Sequence, residues 1–188
     1  MIFSTVNRMD RIFLVHGWGG KPEGGWFPWL KEELEHKGFS VLSVRMPEPS
    51  KPEPKAWVKA LSAAVEIPRN NCFLVGHSLG CITILRYLET LGEHQEIGGA
   101  VLVAGFSEGL GFREISSFFT EPLHWKKVRS HCKSFTAIHS DDDPYVTPKY
   151  GEVFRQQLGA KVIMARGMGH FEQKENPLIL QAVLDAAK

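Results

Sequence analysis

The pentapeptide Gly76-His77-Ser78-Leu79-Gly80 carries the most chemical information in the chain. It fits the pattern G-x-S-x-G, follows the apolar run Cys72-Phe73-Leu74-Val75 and precedes the strongly apolar stretch CITILRYLETL. A serine on a sharp turn from strand to helix is lifted clear of the backbone, and the flanking glycines leave the chain room to double back. The N–H groups that follow open a helix, where negative charge is stabilised. The combination suits a nucleophile with a developing oxyanion beside it. The competing reading is a glycine-rich helix entry with an ordinary N-cap serine, and the apolar flanks speak against it.

A serine hydroxyl is a poor nucleophile near neutral pH and needs a base to take its proton. Of the histidines that follow Ser78, only His170 also follows an acidic loop; it sits in Gly167-Met168-Gly169-His170-Phe171. His124 and His131 read as surface residues. His139, at the end of an apolar run, reads as a core or hydrogen-bonded histidine. The acidic loop is Ser140-Asp141-Asp142-Asp143-Pro144-Tyr145-Val146. Three consecutive aspartates cannot do one job. Asp143, stiffened by Pro144 and spaced D-x-x-V with Val146, is the first candidate to orient the imidazole, and Asp142 is the second. Its role would be to hold the tautomer and stabilise the imidazolium, not to take the proton. Adjacent aspartates diverge and lack the alternating spacing of a calcium loop, so no metal is expected. The loop His16-Gly17-Trp18-Gly19-Gly20 lacks the spacing of a dinucleotide-binding turn and the lysine of a P-loop. Its position suits donation of the Trp18 N–H, together with that of Leu79, to an oxyanion.

These loops need elements to hold them. Apolar runs at 11–15, 40–44, 72–75, 100–104, 135–139 and 161–165 read as strands. Helical patterns separate them, and cap chemistry opens several: Pro28 in a first turn, Thr147-Pro148 and Asn176-Pro177. The alternation predicts an α/β fold, a doubly wound, mostly parallel six-stranded sheet. Residues 1–188 read as one domain, with 1–8 a peripheral extension and the aromatic-rich segment 105–130 a short lid. All three chemical loops would then follow the C-terminal ends of strands, where open α/β sheets carry their sites. Trp18, Trp26, Phe106, Phe112, Phe118, Phe119 and Trp125 fall in segments flanking that edge, and a substrate pocket is expected from His16, Trp18, Phe106, Phe119 and Trp125.

Composition narrows the function classes. Apolar residues make up 43% and charged residues 23% of 188, which is globular composition with room for one sizeable core. The net charge of +1 is spread along the chain, without the basic face that nucleic acid or an anionic membrane would require. The cluster Lys126, Lys127 and Arg129 reads as a solvated helix face. The three cysteines form no C-x-x-C pair, and an odd count argues against a disulfide framework. They read as buried thiols in a cytoplasmic protein. No secretory leader, no membrane span and no cofactor are expected, and the partner would be a small acyl substrate. The sequence leaves the oligomeric state open.

Together, HGWGG, GHSLG, SDDDPYVT and GMGHF resemble the small single-domain serine hydrolases related to retinoblastoma-binding protein nine and its bacterial relatives. The segment SSFFTEPLHWKKV is similar to an aromatic Phe-x-x-Pro-x-x-Trp stretch of that family, and the resemblance runs from about Arg11 onward. It implies a minimal α/β-hydrolase fold and a triad at Ser78, Asp143 and His170. It does not imply a defined substrate. No cysteine sits in an L-x-C-x-E pattern, so a retinoblastoma-type partner is not carried over. The reading is a serine hydrolase acting on an ester, thioester or amide. A protein-interaction module on the same scaffold and another chemistry such as a cofactor-free lyase or perhydrolase are the rival readings.

Overall fold

Ile12 and Leu14 bury on one face of a sheet while Phe13 and Val15 bury on the other, as the two-residue period of a strand requires. The same alternation separates Phe73 and Val75 from Cys72 and Leu74, and Val101 and Val103 from Ala100 and Leu102. Both faces are therefore covered, and the strand sequences are correspondingly apolar throughout. In this computed structural model, which describes residues 9–188, the strands are β1 (Arg11–Val15), β2 (Ser40–Val44), β3 (Cys72–His77), β4 (Gly99–Val103), β5 (Phe135–Ser140) and β6 (Lys161–Ala165). The first eight residues, expected as a peripheral extension, lie outside the described residues.

All neighbouring strands pair in parallel, in the order β2-β1-β3-β4-β5-β6. The chain reverses its direction of travel across the sheet between β1 and β3, so a crevice opens at their C-terminal ends. Helices α1 (Phe27–His36) and α6 (Pro177–Ala186) cover one face; α2 (Pro54–Val65), α3 (Leu79–Glu89), α4 (Trp125–Ser130) and α5 (Lys149–Leu158) cover the other. A proline occupies the first turn of α1, α2 and α6, where its missing N–H costs nothing.

The expected elements are present, with local differences at their ends. Helix α3 ends at Glu89, and the Thr90 hydroxyl donates to the Tyr87 carbonyl at 2.7 Å. Asn176 caps α6 as its sequence suggests, accepting from the Ile179 N–H at 3.2 Å. Thr147 does not cap α5: Pro148 is the N-cap and no side chain bonds there. The segment 105–130 holds a 3-10 turn (Arg113–Phe119) before α4. Its apolar residues follow no single period, which hides this turn from the sequence. His131, expected on the surface, is buried, and its Nδ1 pairs with the Gln95 carbonyl at 2.7 Å.

His139 is the core's one unsatisfied imidazole among the described residues. It is 1% exposed, packs against Phe154 and Gly151, and neither ring nitrogen has a partner. It is a core histidine, as its sequence position suggests, but an unbonded one. Burial pushes its pKa down to about 4, against a weaker opposing pull from Asp143. Above about pH 6.5 the ring is neutral in both the folded and unfolded states. Between there and pH 4 the unfolded chain takes up a proton that the folded chain refuses, so stability falls as pH falls. The full loss is on the order of 3 kcal/mol. Urea midpoints measured from about pH 7.5 to about pH 4.5 should drop, and His139→Leu should remove part of that drop while being no less stable at the higher pH.

Candidate active site

Ser78 lies between β3 and α3 with φ 54° and ψ −119°, a conformation that side chains other than glycine rarely adopt. Such a residue costs roughly 1–3 kcal/mol and persists only where its surroundings over-determine it. Here they do. The Ser78 N–H donates to the Val103 carbonyl at 2.9 Å. A Cβ on Gly76 would sit 2.8 Å from Ile84 Cδ1 and 2.9 Å from the Cys81 nitrogen. One on Gly80 would collide with the Val15 carbonyl oxygen and lie 2.9 Å from the His16 oxygen. The two glycines thus let α3 begin hard against the ends of β1 and β3. Gly17 makes a third close approach: a Cβ there would stand 3.0 Å from Ser78 Cβ and 3.5 Å from its Oγ. The loop after β1 therefore passes in contact with the serine.

That loop is shaped by backbone bonds from Gly19 N–H to the Pro49 carbonyl, 2.8 Å, and from Gly20 N–H to the Gly17 carbonyl, 3.1 Å. The Trp18 N–H takes part in neither. Leu79 is the first residue of α3, where a backbone N–H has no acceptor one turn back. His16, expected among the substrate contacts, is buried and has both nitrogens engaged. Its Nδ1–H donates to the Gly17 carbonyl at 2.9 Å, and its Nε2 accepts from the Met46 N–H at 3.2 Å. It borders the cleft but acts on the loop. Burial lowers its pKa.

His170 is held at three points. Its Nδ1 donates to Asp143 Oδ2 at 2.8 Å, its carbonyl accepts from His77 Nε2–H at 2.8 Å, and the next carbonyl, of Phe171, accepts from the Trp26 indole at 3.0 Å. The His77 and His170 rings lie 4.9 Å apart between centroids. Burial, and then the His170 charge, push the His77 pKa down to about 4, so near neutral pH it is a neutral Nε2–H donor. Asp143 is fixed in its own turn, its Oδ1 accepting from the Tyr145 and Val146 N–H groups at 2.9 and 3.0 Å. Its side chain is 1% exposed. Burial alone would raise its pKa, but the His170 bond and the two backbone bonds outweigh it and hold the carboxyl below the usual range. Asp142 points elsewhere, to the Ser140 hydroxyl and the Gly169 N–H.

Two cavities meet at this point, and Trp18, Ser78, His170 and Glu172 border both. One, about 270 Å³, is walled by Phe106, Leu110, Phe112, Ile115 and Val146. The other, about 340 Å³, is lined largely by glycine backbone between residues 17 and 25, with Trp26 and Phe27 at its base. The segment that follows the Phe106–Ile115 wall is anchored. Arg86 of α3 donates to the carbonyls of Phe118, Glu121 and Pro122 and pairs with Glu89 at 2.9 Å, and Glu89 accepts from the His124 N–H at 2.6 Å.

The residues expected from sequence are distributed unevenly over this site. Ser78, Leu79, His170, Trp18 and Phe106 line the apolar cavity, with Asp143 against His170. Phe119 and Trp125 do not reach it. Phe119 stacks behind Phe106 with ring centroids 5.5 Å apart, and Trp125 lies against Phe154. Sequence reasoning missed Leu110, Ile115, Tyr145, Val146 and Glu172 in the lining, and His77 as a partner of His170. Tyr145, Val146 and Glu172 adjoin singled-out residues and could have been named on that ground. Leu110 and Ile115 lie in the segment without periodicity and carried no signal.

Comparison with known proteins identifies the family and the fold. A family model described as serine hydrolase matches residues 12–178, and the chain belongs to that family. YdeN of Bacillus subtilis is 32% identical over 176 residues, 93% of either chain. The serine hydrolase RBBP9 of Rattus norvegicus is 28% identical over 171 residues, 89% of either chain. The crystal structure of the ydeN gene product superposes with a TM-score of 0.90 over 95% of this chain and 98% of that one, at 29% identity. Est1E of Butyrivibrio proteoclasticus shares the fold, with a TM-score of 0.76 at 16% identity over 95% and 86% of the two chains. The protein is thus a serine hydrolase with a minimal α/β-hydrolase fold.

The close approach at Gly80 makes one substitution decisive. Gly80→Ala forces a methyl group into the Val15 carbonyl, a clash with backbone that no rotamer change relieves. It should cost at least about 3 kcal/mol in urea unfolding, or abolish soluble expression.

Proposed function

We propose that this enzyme cleaves a carboxylic ester, thioester or amide through an acyl-enzyme, with Ser78 as nucleophile, His170 as base and Asp143 as the residue that orients it. The observation that carries the reading is the His170–Asp143 bond. It occupies Nδ1 as a donor and leaves Nε2 as the free acceptor, in a cavity that Ser78 also borders. As Ser78 Oγ bonds to the substrate carbonyl carbon, its proton passes to His170 Nε2. The carbonyl oxygen becomes an oxyanion facing the N–H groups of Trp18 and Leu79, which bind it better than the planar carbonyl. The imidazolium, stabilised by the ionised Asp143, then gives its proton to the leaving group as the bond to carbon breaks. Water attacks the acyl-enzyme with His170 again as base and regenerates Ser78.

The two cavities divide the substrate. The apolar one suits the acyl chain, and the glycine-lined cleft suits the leaving group. The esterases among the proteins that share this fold make esters the first compounds to test. The three cysteines are free and buried, which supports a reducing, cytoplasmic setting, and no helix among the described residues is long and apolar enough to cross a membrane.

A fluorophosphonate probe should label the wild type and leave Ser78→Ala unlabelled; equal labelling of both removes the assignment. His170→Ala should lower turnover of an activated ester by about 10³-fold or more, because such groups act as a unit. Phe112→Ala should shift preference across a series of p-nitrophenyl acyl esters toward longer chains. An unchanged profile would place the acyl group elsewhere.

A further inference from the structure

The three consecutive aspartates exceed what the proposed triad uses, and each meets a different residue of the loop that ends at His170. Asp141 Oδ1 accepts from the Gly167 N–H at 2.9 Å. Ser140 Oγ accepts from the Met168 N–H at 2.9 Å and donates to Asp142 Oδ1 at 2.6 Å. The same Asp142 oxygen accepts from the Gly169 N–H at 2.8 Å. Asp143 then takes the ring of His170 itself. Successive N–H groups of 167–169 and the imidazole of 170 are thus matched, rung by rung, by residues 140–143.

The loop needs such a clasp. Gly167 and Gly169 have φ of 64° and 53°, and Phe171, immediately after His170, has φ 57°. Three such residues within five positions leave the backbone no regular ladder of its own. Ser140 is fully buried at the end of β5, so its hydroxyl is a fixed anchor rather than a surface contact. Asp142 is exposed, but its carboxylate ties that anchor to Gly169, the residue next to the histidine.

We propose that Ser140 and Asp142 are positioning residues for His170, clasping Met168 and Gly169 so that the imidazole meets Asp143 in one orientation. The role rests on His170 being the base, and it acts through that residue without touching substrate. What Asp142 must supply is an acceptor oxygen, not a charge, because its partners are a hydroxyl and an amide. Asparagine can supply that oxygen and alanine cannot.

The test compares Asp142→Ala, Asp142→Asn and Ser140→Ala in the full chain, each assayed well below its own unfolding temperature. Asp142→Ala should lower kcat about 10- to 100-fold with KM within about twofold, since a small misplacement of a catalytic group has a cost of that order. It should also broaden or remove the low-field proton resonance of His170 Nδ1–H. Asp142→Asn should recover most of kcat and the resonance. Unchanged kcat and resonance in Asp142→Ala overturn the proposal even if its melting temperature falls. So does an asparagine variant as impaired as the alanine one, because charge would then be the active property. If Ser140→Ala does not fold, the two Asp142 variants still decide the matter. The resonance reads His170 without turnover, so failure of the clasp is distinguishable from failure of the triad: an intact resonance together with an active His170→Ala indicts the triad alone.

Discussion

The site depends on how closely α3 approaches the ends of β1 and β3. That approach is set by glycine, since the position of a Cβ on Gly80 is already filled by the Val15 and His16 carbonyls, and that on Gly76 by Ile84 and Cys81. With α3 seated there, the chain reaches it from β3 through a residue at positive φ, Ser78. The strain at Ser78 is therefore a consequence of helix docking, offset by the burial of Leu79, Cys81, Ile82, Ile84 and Leu85. The same docking places the first N–H of the helix beside the serine and brings Gly17 into contact with it. The proposed nucleophile and the proposed oxyanion donors are thus products of one packing event.

His170 is positioned by different means. No regular element carries it, and the loop from Gly167 to Phe171 repeatedly takes positive φ. Its orientation comes from outside: Asp143 on the ring, His77 on its carbonyl, Trp26 on the next carbonyl. Trp26 and Phe27 are stacked at the start of α1 with centroids 4.2 Å apart, so the α1 side of the sheet restrains the histidine while the β5 loop aims it. A site assembled this way is precise in the serine and adjustable in the histidine, because one rests on backbone packing and the other on individual hydrogen bonds.

This difference also explains what the sequence could reveal. Backbone packing requires glycines at fixed offsets, so the elbow around Ser78 and the loop at Gly17 leave a pattern that can be read directly. Strands buried on both faces leave apolar runs, and all six were legible to within two residues. Hydrogen bonds between loops leave no period. His77 looks like a variable position in its motif, and its bond spans 93 residues to a backbone atom. The segment that follows Leu110 and Ile115 is held by Arg86, a residue of another element, through the carbonyls of Phe118, Glu121 and Pro122. Phe119 and Trp125 look like pocket residues by composition, yet Phe119 packs behind Phe106 and Trp125 against Phe154.

The electrostatics of the site follow from which histidines are buried. His16, His77 and His139 all have depressed pKa values, each with burial as the leading cause. Near neutral pH they are neutral rings that orient loops, fill the core or donate to a carbonyl. Positive charge on His77 or His139, which both feel Asp143, would compete with His170 for its carboxylate and weaken the stabilisation of the imidazolium in the proposed reaction. Their neutrality keeps the field of Asp143 directed at one ring. The arrangement has a cost in acid, where the same three residues resist the protons that the unfolded chain accepts. Proton-linked unfolding in acid therefore runs through histidines other than His170.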